Sequence, residues 1–278
     1  MQKRHTDRKR YFFELATTSD SYYVDYVRKY KNIGPDTRIL EVGCGEGGNL
    51  LPFARLGAKV VGIDLSAARV EQAQLFFLDA NQKGEFHNMD FLQMTPPRNE
   101  ELFDIVLVHD VIEHIEPQFK EAFISRIKMF TKDDGIIFFR FPAWQMPFGG
   151  HQQICKHSLL AKAPFIHLLP KRVYKGLLQT LGESVPCIDE LLSIKRSKMT
   201  IERFEALCRK LEYRVLDRTL WFINPHYKVK FNIPAIKLRL CKHVPYLRNF
   251  FSTSCFYIIT PQKKGLPMGI KKHRPGWR

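Results

Sequence analysis

Between residues 38 and 143 short apolar runs alternate with Gly-rich or polar turns, and then with segments whose apolar residues recur every three to four positions. The apolar runs predict strands: RILEVG (38–43), KVVGIDL (59–65), EFHNMD (85–90), FDIVLVHD (103–110) and GIIFFRFP (135–142). The segments between them, GNLLPFARLG, SAARVEQAQLFFLDA and PQFKEAFISRIKMF, predict helices, with Ser66 as an N-cap and Pro117 in a first turn. Strand alternating with helix predicts an α/β fold with a parallel sheet. FDIVLVHD is apolar almost to its end, as a central strand covered on both faces should be.

At Ala143 the alternation stops. Residues 144–199 are rich in Pro, Gly, Lys and aromatic residues, which predicts an insertion after the fifth strand. Within it, HLLPKRVYKGLLQTLG puts Leu168, Leu169, Val173, Leu177, Leu178 and Leu181 near one side of a helix and Lys171, Arg172 and Lys175 on another. Such a helix can lie on an anionic membrane surface or pack on its own domain as a lid. Thr200 then precedes the amphipathic IERFEALCRKLEY, followed by the strands RVLDRTLWFIN and SCFYIITP. The expected organisation is a basic arm and covering helix (1–33), a core (34–143), a lid (144–199), a segment completing the sheet (200–261) and a flexible basic tail (262–278).

The chain has 278 residues, 45% of them apolar, enough for one large core. Its six cysteines are scattered with no ligand-like spacing, which predicts a reducing compartment and no structural zinc. The N-terminus lacks a secretory pattern, and the longest apolar stretch (158–181) is broken by charges and prolines. A cytoplasmic protein is expected, free or peripheral to the inner face of a membrane. The net charge of +16 is uneven: residues 34–145 hold 11 Lys/Arg against 17 Asp/Glu, whereas 146–278 hold 25 against 7, with no acid after Asp217. A one-signed surface attracts polyanions, so phosphorylated substrates, anionic lipid headgroups and RNA are candidate partners.

The first strand ends in Glu41-Val42-Gly43-Cys44-Gly45-Glu46-Gly47-Gly48 and opens a helix. Glycines there allow a tight turn and let main-chain N–H groups approach a ligand. Gly43, Gly45 and Gly48 alone also fit a dinucleotide fingerprint. Glu41 discriminates, because an acid would repel a pyrophosphate but suits a cationic ligand. The second strand ends in Asp64, twenty-one residues after Gly43, where a carboxylate can accept both hydroxyls of a ribose.

Over residues 22–141 this order of motifs resembles the class I methyltransferases that use S-adenosylmethionine (SAM). The resemblance implies a Rossmann-like, doubly wound, mostly parallel seven-stranded sheet with an antiparallel last strand and a helical lid after strand five. It places the cofactor SAM on Glu41, Gly43, Cys44, Gly45, Gly47 and Asp64, with Cys44 a small unreactive filler. Leu65 would pack on the adenine, Asp90 would meet its amino group beside a stacking Phe91, and His109 would line the methionine end. The leading helix would bring Tyr22 and Tyr23 to the pocket.

After strand four the sequence reads HDVIEHI. It lacks the motif of enzymes that methylate exocyclic base amines and resembles the branch that includes ubiquinone-biosynthesis O-methyltransferases. No metal is expected; the alternative the resemblance raises is a divalent cation on Asp110, Glu113 and His114. Without one, His114 is the leading general base, with Glu113 beside it, because a near-neutral imidazole can accept a hydroxyl proton as the methyl arrives. His151 is the second base candidate. Together with Trp144 and Gln152 it is expected to border the substrate, after a turn made possible by Gly149 and Gly150. The function expected is O-methylation of a small-molecule, lipid-linked or sugar-linked acceptor. The alternatives are an RNA methyltransferase and a non-catalytic SAM-binding protein.

Overall fold

In the computed structural model, which describes residues 7–262, the alternating pattern builds one twisted sheet. Its strands are β1 (Arg38–Val42), β2 (Lys59–Asp64), β3 (Glu85–Asn88), β4 (Phe103–His109), β5 (Thr131–Phe141), β6 (Tyr213–Ile223), β7 (Ile236–Lys237) and β8 (Ser254–Pro261). The spatial order is β3-β2-β1-β4-β5-β8-β6-β7. β1 to β5 pair in parallel, while β8 runs antiparallel to both β5 and β6. The expected seven strands become eight, because two exposed residues of β7 pair with Trp221 and Ile223 at the edge. A strand of two residues leaves no period-two pattern to read. β5 also starts earlier than expected, with the polar Thr131-Lys132-Asp133-Asp134 joined to β4 through a bulge. Most of the expected tail, from residue 263 on, lies outside the described residues, as do residues 1–6.

Successive strand residues point to opposite faces. Val42, Val106, Ile137 and Phe139 enter one core with Phe123 and Ile127 of α5 (Pro117–Ile127) and Phe204 of α9 (Ile201–Lys210). Their neighbours Ile39, Leu107 and Phe138 enter the other, with α1 (Arg8–Thr18), α3 (Leu51–Arg55) and α4 (Ala67–Asp79). α2 (Val24–Arg28) follows α1 through a π-helical turn, Ser19–Tyr23. Every residue of β4 is buried, as a central strand requires.

Between β5 and α9 lie α6 (Ser158–Lys162), α7 (Lys171–Thr180) and α8 (Val185–Ser197), which share a small core of their own around Leu160, Tyr174, Leu178, Ile188 and Leu191. The apolar face expected for α7 is rotated. Tyr174 and Leu178 point inward, whereas Val173 is 55% exposed and Leu168 and Leu169 also reach solvent. Among the described residues no helix is long and apolar enough to cross a membrane. α10 (His226–Phe231) and α11 (Leu247–Phe250) complete the chain, with α10 packed against α1.

Candidate active site

The Gly-rich turn follows β1 at the carboxyl edge of the sheet, where open α/β sheets bind ligands. The main-chain N–H groups of Gly43 and Cys44 both donate to the Ile63 carbonyl, at 2.8 and 2.9 Å. Gly43 has φ +73°, and a Cβ there would lie 2.4 Å from Cγ2 of Val111, so the turn and the loop after β4 touch. Gly45, with φ +54°, has no atom within 4 Å of the space its Cβ would fill, so bare backbone faces an opening. The carboxylate of Asp64 is held at that opening. Its Oδ2 accepts the Gly45 N–H and its Oδ1 the Ser66 N–H, both at 2.9 Å. Ser66 stands at the start of α4, but its side chain makes no capping bond. Beside Asp64, Leu65 is 75% exposed and offers an apolar surface. Asp90 follows β3, and its Oδ1 accepts the Leu92 N–H at 2.9 Å. The buried Cys44 fills the turn, its thiol pushed upward in pKa by burial first and then by Glu41 and Asp64.

Several expected ligand contacts are redirected inward. Phe91 packs its ring against Phe123 and Phe130 in the core, which corrects the expectation that it stacks on a ligand. Glu41 is fully buried beneath the turn and does not present an open charge. Its Oε1 accepts from Asn49 Nδ2 at 2.8 Å and lies 3.3 Å from His109 Nδ1, while its Oε2 has no partner. Burial pushes its pKa up to about 8, against the opposing pull of Asn49 and Arg140. His109 is wedged between Tyr23 and Phe138, at 4.9 and 4.6 Å, and burial holds its pKa far below the usual imidazole value. It supports Glu41 from behind and is too deeply buried to line an open pocket. Tyr23 is equally buried, and its hydroxyl accepts from Arg140. Tyr22 meets Trp221 edge-on, so the two tyrosines belong to the packing of the covering segment.

The loop after β4 holds the second half of the site. Asp110, with φ +53°, is gripped through both carboxylate oxygens by Arg140, the one cation in the apolar run of β5 after Gly135. That pairing removes Asp110 from the set Asp110, Glu113 and His114. Its place is taken from the insertion: Glu113, His114 and His151 each bring one ligand atom within 4.8 Å of the others. Glu113 is buried with neither oxygen hydrogen-bonded, His151 Nε2 lies 3.9 Å from its Oε1, and the two imidazoles meet edge-on at 4.9 Å. Burial pushes the Glu113 carboxyl up to about 8, with Lys120 pulling it down. His114 keeps part of its surface in solvent at the rim, but its neighbours strip water from the ring, and that desolvation, helped by the Lys120 and Arg69 cations, holds its pKa below the ordinary 6.5. These three donors can hold a divalent cation or pass a proton.

Sequence reading missed Asn49, Lys120 and Arg140, whose signal was a polar residue at an otherwise apolar position. Lys120 is buried and donates to Ser197 Oγ at 2.7 Å and to the Ile112 carbonyl, which ties the loop to the insertion. Trp144 and Gln152, expected at the substrate, are structural. Trp144 is buried with its carbonyl 2.8 Å from His167 Nε2, and Gln152 donates to the carbonyls of Pro147 and Ala163. Gly149 and Gly150 serve close packing, since a Cβ at Gly150 would lie 2.2 Å from Cβ of His167.

Residues 39–135 match a family described as Methyltransferase domain. Over 100 residues the chain is 39% identical to the ubiquinone biosynthesis O-methyltransferase of Rhodopseudomonas palustris (strain TIE-1), a match covering 36% of this chain and 38% of that protein. The enzyme of the same name from Bradyrhizobium sp. (strain ORS 278) is 36% identical over an equal length. The chain thus matches well under half the length of these relatives. Among solved structures, magnesium protoporphyrin IX methyltransferase from Synechocystis PCC 6803 with bound SAH superposes with a TM-score of 0.55 and 15% identity, over 90% of this chain and 84% of that one. An S-adenosylmethionine-dependent methyltransferase from Clostridium acetobutylicum ATCC 824 gives 0.55 and 11%, over 89% and 92%. These likenesses show the fold. Residues 39–135 thus match a methyltransferase domain, set in a fold that the chain shares with solved methyltransferases.

Proposed function

Taking that domain as the premise, we propose that the protein transfers the methyl group of SAM to an oxygen of a small-molecule acceptor. The observation that carries this reading is the meeting of Glu113 and His114, on the loop that touches the Gly43 turn, with His151 from the insertion. The main chain from Gly43 to Gly47, the carboxylates of Asp64 and Asp90, and the exposed face of Leu65 would hold the cofactor. Glu41, buried beneath the turn with its Oε2 free of hydrogen bonds, would back the site from below. When bound, SAM would supply an electrophilic sulfonium methyl for in-line attack by the acceptor oxygen, its sulfur leaving as a neutral thioether.

The chain's own part is alignment and proton removal. A neutral imidazole of His114 or His151 accepts the acceptor's hydroxyl proton, and Glu113 orients the pair from the buried side. Such a base contributes about 10²–10⁴-fold, and the remainder comes from positioning. The name of the relatives supports an oxygen acceptor, and HDVIEHI lacks the motif of enzymes that methylate exocyclic base amines.

The surface supports a lipid-linked acceptor drawn from an anionic membrane. Phe165, Leu169 and Val173 are exposed beside Lys171, Arg172 and Lys175, and Phe250 adjoins Phe165 with ring centres 6.4 Å apart. Apolar side chains rimmed by cations suit an interface of anionic headgroups. The test is incubation with methyl-labelled SAM and fractionated extract, with and without anionic vesicles. Alkali-stable label in the organic-soluble or small-molecule fraction is expected, enhanced by vesicles. Label confined to RNA or protein would overturn the acceptor class, and vesicles without effect would overturn the membrane reading.

A further inference from the structure

The insertion contains a second polar cluster that the reaction does not use. Cys155, just before α6, Glu183, in the turn between α7 and α8, and Cys187, in the first turn of α8, bring one ligand atom each to within 4.8 Å of one another. Cys155 and Glu183 are buried and Cys187 is partly so. Glu183 is anchored by main chain: its Oε1 accepts the His157 N–H at 2.8 Å and its Oε2 the Lys156 N–H at 3.1 Å. Each oxygen keeps a lone pair, and carboxylate ligands are commonly fixed by such outer hydrogen bonds.

A separate observation points to a missing group. Tyr174 is fully buried, its hydroxyl has no hydrogen-bond partner, and it lies within electrostatic reach of Cys155, Cys187 and Glu183 alike. His157, whose main chain anchors Glu183, also has a buried Nδ1 with no partner. Folded proteins leave few such atoms unsatisfied.

We propose that Cys155, Glu183 and Cys187 bind a thiophilic divalent cation of the zinc class, with a water as fourth ligand hydrogen-bonded to the Tyr174 hydroxyl. Two thiolates and a carboxylate exclude the hard cations magnesium and calcium and favour a tetrahedral soft-ligand site. Binding forms two metal–sulfur bonds and releases the two thiol protons, with no change of oxidation state. The cation clamps three segments of the insertion around its apolar core, and the segment that holds Cys155 also carries His151. Sequence spacing gave no hint, because α7 folds between the two cysteines.

The test uses the full chain under reductant, titrated with cobalt(II) and then zinc(II). One equivalent of cobalt should produce thiolate-to-cobalt charge transfer in the near ultraviolet and a tetrahedral visible band, both bleached by zinc. The Glu113, His114 and His151 cluster contains no sulfur and gives no such charge transfer. Cys187→Ser and Cys155→Ser should each abolish the charge transfer expected of a two-thiolate site, Tyr174→Phe should weaken binding about tenfold, and Cys241→Ser should change nothing. Saturating cobalt with no charge-transfer band would overturn the proposal, as would a full band in either cysteine variant. Oxidation of Cys155 and Cys187 to a disulfide in place of metal uptake, read by mass and by reductant-reversed mobility, would overturn it as well.

Discussion

Glu113→Gln should make the protein more stable at alkaline pH and a poorer catalyst. Neither oxygen of this buried carboxyl is hydrogen-bonded, and loss of water raises its pKa from 4.5 to about 8. Below about pH 4.5 the group is neutral in both folded and unfolded chains, and glutamine replaces it at little cost. Between there and about pH 8 the unfolded chain has released the proton while the folded chain retains it, so stability falls as pH rises. At about 1.4 kcal/mol per pH unit the loss reaches about 4–5 kcal/mol above pH 8. Glutamine has no proton to release, so the variant escapes that loss.

Urea unfolding of both proteins at about pH 5 and about pH 8.5 reads the effect, and the stability difference should widen in favour of the variant by about 3–5 kcal/mol. Glu41, whose carboxyl is also pushed up to about 8, is present in both proteins and cancels from the difference. A difference independent of pH would refute a Glu113 carboxyl whose pKa is raised by desolvation. Turnover should fall about 10²-fold or more with SAM affinity unchanged.

Asp64→Ala removes the acceptor held by Gly45 and Ser66 and should weaken SAM binding at least about 100-fold, or about 3 kcal/mol, in calorimetry; wild-type affinity would count against the cofactor site. Phe91→Ala should cost about 3–5 kcal/mol of stability, whereas Leu65→Ala should change it by less than about 0.5 kcal/mol yet weaken SAM binding, as melting curves and titrations together would show. Asp110→Asn leaves the buried Arg140 guanidinium poorly paired; because Asp110 is itself 41% exposed, a loss of about 2 kcal/mol is expected in denaturant unfolding. His114→Ala should lower single-turnover methyl transfer by about 10²–10⁴-fold with little change in SAM affinity, and an unaffected rate would leave His151 as the base.

Much of the frame was legible because its signals are local. β1, β2 and β4 fall within a residue of their expected ends, since each run of Ile, Val and Leu stops at a Gly or an acid. β7 was not legible, having only two exposed residues, and the polar start of β5 is strand only because it pairs with Phe103. Chain order alone determined the Gly-rich turn, the reach from it to Asp64, and the placing of Glu113 and His114 after the central strand. Packing decided which of these side chains a ligand could meet. It turned Phe91, Tyr23, Trp144 and Gln152 inward, buried Glu41 under its own turn, and paired Asp110 with Arg140. It also carried His151 to Glu113, and Cys155 and Glu183 to Cys187. A side chain's neighbours come mainly from elements distant in sequence, and burial follows from those neighbours, so no local pattern records it.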